Sequence, residues 1–261
     1  MDRILAASLL AVALFLGMLL LLEAGRRIGT RQLRHDPDGA RAGTGVIEGA
    51  VFALLGLLIA FTFSGATSRF DARRALIIEE TNDIGTAWLR LDLLAGNDQP
   101  EMRELFRQYL DSRLETYRKI PDMVAVQAEL DRTASLQEAI WMRAVELGEL
   151  DGASPDASKL LLPALNAMID ITTTRTMAAS HHPPGAIYAM LYVLALASAL
   201  LAGYGMAGGA SRNWLHTVGY PAVLAIAVYV ILDIEFPRLG IIQVDTVDQA
   251  LVQLRESMGH Q

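Results

Sequence analysis

Between Val46 and Leu94 the sequence runs from VIEGAVFALLGLLIAFTFSGA straight into TSRFDARRALIIEETNDIGTAWLRLDLL without a proline. As one helix this stretch would reach roughly 70 Å at 1.5 Å per residue, well beyond the roughly 30 Å of a bilayer core. A chain built on such a segment is expected to fold around a rod that crosses a membrane and then organises a domain outside it.

At 100° per residue the rod has two chemically different sides. Phe63, Phe70, Ile77, Ile84 and Leu91 recur every seven residues with Trp88 beside them, which predicts a buried stripe. The opposite side carries Leu54, Leu57 and Phe61 in the apolar half, then Ser68, Ala72, Ala75, Glu79 and Asp83 beyond it. Two readings fit that second side. It is the solvated face of an amphipathic helix, or it lines the water-filled axis of an oligomer, with apolar rings at Leu57 and Phe61 that could gate by dewetting.

Three further segments are apolar enough to span a bilayer: Ile4 to Leu22, Ala186 to Ala207, and a shorter one from Val218 to Leu232 that holds Pro221 near its start. With 52% hydrophobic residues and a mean hydropathy of +0.32, the chain reads as an all-α membrane protein. It has four transmembrane helices, the second continuing into a helical bundle-like soluble domain. The expected organisation is spans 1 and 2 with an Arg-rich loop over residues 1–66, the soluble domain over 67–185, spans 3 and 4 over 186–235, and a C-terminal amphipathic segment over 236–261.

The lack of cysteine removes disulfides, thiolate nucleophiles and Cys-ligated metals. Between Thr67 and Ala186 there are 13 Lys and Arg against 19 Asp and Glu, a local charge of -6 that argues against a nucleic-acid surface. Arginines do not settle the orientation. Arg26, Arg27, Arg31, Arg34, Arg41 and Arg212 would lie on one side, and Arg3, Arg69, Arg73, Arg74, Arg175 and Arg238 on the other, six each.

In the soluble part, Ala95-Gly96-Asn97-Asp98 predicts a turn, and a helix follows from about Pro100 with Met102, Leu105, Phe106, Tyr109 and Leu114 inside. Pro121 restarts the chain, giving a helix from Asp122 to Leu147 that buries Leu130, Leu136, Ile140 and Trp141. GELDGASPD is a loop around Gly152, and a last soluble helix is capped by Ser154, with Pro163 inside it. His181-His182-Pro183-Pro184 reads as a connector rather than a metal site, because adjacent histidines do not share a helix face. Ala195, Ala199 and Gly203 predict close helix contact. Asp233 and Glu235 sit where the fourth span leaves the hydrocarbon; interfacial solvation is their leading explanation and a pore or ion contact the alternative. Val244, Val247, Leu251, Leu254 and Met258 form a heptad stripe, predicting a tail helix docked on the soluble domain or on a neighbouring subunit.

No nucleophile elbow, phosphate loop, dinucleotide fingerprint or HExxH pattern occurs, so neither an enzyme nor a cofactor is expected. Glu79, Glu80, Asn82 and Asp83 on the rod, with Asn166, Asp170 and Arg175 on the last soluble helix, form the richest polar set. A structural network is the leading reading, and a site for hard divalent cations the next.

Phe61-Thr62-Phe63-Ser64-Gly65, Arg69-Phe70-Asp71-Ala72-Arg73-Arg74, Glu79-Glu80, Ile84-Gly85-Thr86-Ala87 and Leu89 to Leu94 closely resemble a bacterial bestrophin-like membrane family of unknown function. So do Leu165-Asn166, Ile169-Asp170, Arg175 and Leu232 to Gly240. That family is in turn similar to bestrophins, pentameric ion channels whose second membrane helix lines the pore and continues into a cytoplasmic helical domain. The resemblance implies an oligomer, a pentamer on the bestrophin pattern, that conducts small inorganic ions across the bacterial inner membrane, with a cytoplasmic middle domain. Pore-lining candidates are Leu54, Leu57, Phe61, Ser68, Glu79 and Asp83. Only Phe61 among the phenylalanines falls on that side, and the acidic calcium clasp of animal bestrophins is missing, so calcium gating and anion selectivity do not follow. The competing reading is a non-conducting membrane-anchored scaffold or sensor whose helical domain binds a partner.

Overall fold

The computed structural model describes residues 2–36, 44–150, 155–209 and 214–259, and no strand occurs among them. Arg41, Gly152, Ser154 and Arg212 lie outside the described residues. Among the described residues eight α-helices follow in order: α1 Asp2–His35, α2 Thr44–Arg90, α3 Gln99–Arg118, α4 Met123–Glu149, α5 Pro155–Ser180, α6 Gly185–Gly205, α7 Trp214–Glu235 and α8 Asp245–Ser257. Four helical stretches among the described residues are long and apolar enough to cross a membrane, so the chain is an all-α membrane protein. The rod is one uninterrupted helix of 47 residues that tightens into a 3-10 turn at Leu91–Leu93.

The chain divides into two compact units, residues 1–69 with 182–242, and residues 70–181 with 243–261. In the first, α1 packs on α6 and α7. Its buried line is Ala11, Leu14, Met18 and Leu22, continued by Gly25 and Gly29. The expected break after Leu22 does not occur, since Glu23–His35 is helix rather than loop. Gly25 and Gly29 bring two backbones together within that extension. A Cβ on Gly25 would sit 2.0 Å from the Leu200 carbonyl oxygen, and one on Gly29 would sit 2.6 Å from the Ala207 Cβ. On α6 the stripe Ala195, Ala199 and Gly203 is buried, and a Cβ on Gly203 would lie 2.0 Å from the Leu22 carbonyl oxygen. The fourth span is longer than expected because Pro221 is accommodated inside α7.

Phe63 is 45% exposed, against the expected stripe. In this unit α2 instead buries Leu55 and Ala66, and Ala66 is about 60° around the helix from Phe63. In a membrane an apolar ring needs no protein cover, because lipid is as apolar as a core.

The second unit is a helical bundle. Its core joins Ile77, Ile84, Trp88 and Leu91 of the rod to Met102, Phe106, Tyr109 and Leu110 of α3, Ile140, Ala144 and Leu147 of α4, and Leu161, Leu165 and Met168 of α5. Asp98 occupies the N-cap of α3 without a side-chain capping bond; its carboxylate lies 3.9 Å from Arg143. Asp122 does cap α4, accepting from the Val124 and Ala125 amides. Near Leu130 the inner face of α4 is shifted by one residue from the expected one, running through Val126, Glu129 and Thr133. Leu130 is half-buried, whereas Glu129 and Thr133 are buried. The Ser112 hydroxyl of α3 bonds both Glu129 and Thr133 there, and the hydrogen-bonded Lys119 ammonium, with further help from Ser112, holds the Glu129 carboxyl below its ordinary range against the cost of burial. The tail helix α8 docks on α3 through Val244, Leu251 and Met258, locked by Arg255 on Asp111 at 2.7 and 3.0 Å.

Candidate functional site

Along α2 the side marked by Leu54, Leu57 and Phe61 is 51%, 52% and 66% exposed. Further along the same side, Ser68, Ala72, Ala75 and Glu79 are exposed and Asp83 half-buried. Partial burial, and secondarily the Glu79 charge, push the Asp83 carboxyl above its usual value. From Leu54 to Asp83 these positions stay within about 80° of helix arc, so they form a continuous strip.

Glu80 points the other way. It is fully buried and takes a 2.6 Å bond from Arg113 Nε, while its second oxygen pairs with Arg175. Both guanidinium groups lie over the Tyr117 ring, at 5.2 and 4.3 Å from its centroid. Of the sequence-derived polar set, Glu80 and Arg175 are therefore brought together. Asn166 and Asp170 bond each other at 2.9 Å on the exposed side of α5, and Asn82 is exposed on α2. Arg113 escaped the sequence reading, although a signal existed. It follows Leu110 by three residues on the apolar stripe of α3, and Glu80 follows Ile77 by three on that of α2, so each charge intrudes on a core line.

A second polar centre lies in the first unit. Asp233 and Glu235 are 5% and 1% exposed, which overturns the expectation of solvated carboxylates at the end of a span. Arg69 forks onto Glu235 with bonds of 2.8, 3.0 and 3.2 Å. His182 Nδ1 lies 3.1 Å from the same carboxylate, and its ring stacks against Phe236. Asp233 accepts the Ile241 and Ile242 amides at 3.0 and 2.9 Å because the segment after α7 folds back across it. Among the described residues no His, Asp or Glu group is arranged to hold a metal ion.

The fold-back needs Gly240, where a Cβ would stand 2.0 Å from Asp233 Oδ1. Gly240→Ala is expected to lift the segment and strip amide donors from a buried carboxylate, a loss of roughly 1–3 kcal/mol. Hydrogen exchange at the Ile241 and Ile242 amides should accelerate; unchanged protection would refute the role given to Gly240.

Residues 4–248 match the Bestrophin-like domain. The chain belongs to the bestrophin-like family. Its fold is shared with crystal structures of point-substituted forms of a bacterial bestrophin homologue from Klebsiella pneumoniae. One superposes with a TM-score of 0.72 at 13% identity, covering 96% of this chain and 98% of that one. Another gives 0.65 at 16% identity, covering 95% and 99%. No curated protein matches the sequence. The bestrophin-like match takes in both the exposed strip of α2 and the Asp233/Glu235 centre.

Proposed function

We propose that this bestrophin-like chain is one subunit of a homo-oligomeric ion channel in the bacterial inner membrane, with α2 lining the pore. The observation that supports it most is the strip on α2. One uninterrupted helix exposes leucine and phenylalanine over its membrane-spanning part, then small and polar residues, on one helical arc. In a closed ring, Leu54, Leu57 and Phe61 form the dewetting constriction, and Ser68, Glu79 and Asp83 line a wetter continuation. The bestrophin resemblance supports a ring of five subunits with a cytoplasmic second unit.

The test is current through planar bilayers carrying the purified protein, together with native mass spectrometry of the protomer number. A ring of four or more subunits, with conductance raised by Phe61→Ala or Leu57→Ala, is the expected result. A monomer or dimer that carries no current in the wild type or in either variant would overturn the channel and leave the scaffold reading.

A further inference from the structure

The helical extension of α1 turns what reads as an arginine-rich loop into a surface with a defined direction. At 100° per residue, Leu9, Leu16, Leu20, Arg27, Arg31 and Arg34 all lie within about 60° of arc. The leucines are 59%, 51% and 72% exposed, and the three arginines are exposed as well. The opposite side of α1 is the buried line that ends in Gly25 and Gly29. One uninterrupted face thus passes from leucine to arginine.

The level at which it changes is set by the neighbouring helices of the same unit. Gly29 touches Ala207, just past the end of α6 at Gly205, and α7 begins nearby in sequence at Trp214, which is 63% exposed. Arg27 is therefore level with the end of a span, and Arg31 and Arg34 lie about 3–8 Å beyond Gly29 along the axis. That depth matches the headgroup layer, about 5–8 Å thick on each side of the hydrocarbon.

We infer that Arg27, Arg31 and Arg34 form a binding site for the phosphate of an anionic phospholipid whose acyl chains lie along the Leu9, Leu16 and Leu20 face. Charge complementarity favours this occupant. Between Glu23 and Asp36 there are four arginines and two acids, a balance of +2, although Glu23 also engages Arg27 at 2.9 Å. Arginine presents several donors to phosphate oxygens at once, and its aliphatic stem can lie along the acyl region while the head stays in the interface. Compensation of the α1 dipole would be met by Arg34 and His35 in the last turn; it does not require Arg27 to continue the leucine line.

The test reconstitutes the full chain in nanodiscs of equal parts phosphatidylglycerol and phosphatidylcholine, and counts co-purifying lipids by native mass spectrometry. The wild type should retain phosphatidylglycerol preferentially. Arg27→Gln/Arg31→Gln/Arg34→Gln should lower that preference by about fivefold per arginine, on the order of 100-fold in all. The corresponding triple lysine variant should keep most of it. Inorganic phosphate at tens of millimolar should not displace the lipid, and thermal unfolding of each variant in the same discs checks folding. Equal retention of the two lipids by the wild type, an unchanged preference in a folded triple glutamine variant, or displacement by inorganic phosphate would overturn the site. None of these outcomes depends on whether the protein conducts.

Discussion

Replacing Glu80 by Gln is expected to destabilise the second unit by about 3–5 kcal/mol, the range for removing one partner of a buried ion pair, and to lower Tm by roughly 10 °C. The carboxylate is fully buried and neutralises two arginines that are themselves 1% and 7% exposed. With it present the group already carries a net charge of +1, and Arg113 Nη1 is buried without a hydrogen-bond partner among the described residues. Without it, two cations face each other in a medium of low dielectric constant. Because the cost lies in uncompensated charge rather than in lost volume, it should be recoverable. A triple variant, Glu80→Leu/Arg113→Met/Arg175→Met, removes all three charges and should regain most of the loss. Thermal unfolding in detergent, with hydrogen exchange in α3 and α5, separates the cases. If the single and triple variants are equally unstable, packing rather than charge accounts for Glu80.

Glu80 and its two arginines lie at the limit of what local sequence signals carry. The four spans were legible because a run of about 18 apolar residues has few other physical solutions. The rod was legible because a proline-free sequence keeps its heptad phase from Phe70 to Leu91. Partners far apart in sequence were not. Glu80 could be placed on α2 and Arg175 on α5, yet Arg113 was masked by its position on a core stripe, where an apolar residue is expected. Asp233 and Glu235 were misread because an acid at the end of a span is ordinarily solvated. What buries them is the return of residues 236–242 and the reach of Arg69 and His182, neither of which has a local signature. The extension of α1 was missed because the apolar run gives way to Glu23 and the arginines, which marks the end of a span and not of a helix; the helix continues because Gly25 and Gly29 serve the contact with α6.

The same contact carries the second large effect. Gly203→Ala or Gly25→Ala adds one methyl group, yet its carbon would stand 2.0 Å from a main-chain oxygen of the facing helix. A side chain could rotate out of the way; a helix backbone cannot, so α1 and α6 must separate along their whole interface. The expected loss is about 3 kcal/mol or more, at or above the upper end for overpacking, read as lowered Tm and accelerated exchange in both helices. Gly17→Ala is the matched control, because its Cβ would meet only the flexible Leu196 tip at 3.1 Å. It should cost far less, and equal losses at positions 17 and 203 would refute the backbone argument. Gly56 extends the series to α2. A Cβ there meets nothing within 4 Å, so in an isolated chain Gly56→Ala should raise stability by about 1 kcal/mol through helix propensity alone. Gly56 lies about 140° around the helix from the centre of the Leu54, Leu57 and Phe61 strip, so in a closed ring of subunits it faces away from the axis. A folded Gly56→Ala variant that loses stability or falls to a smaller assembly would place a neighbour against this position, whereas a simple gain would leave it facing lipid.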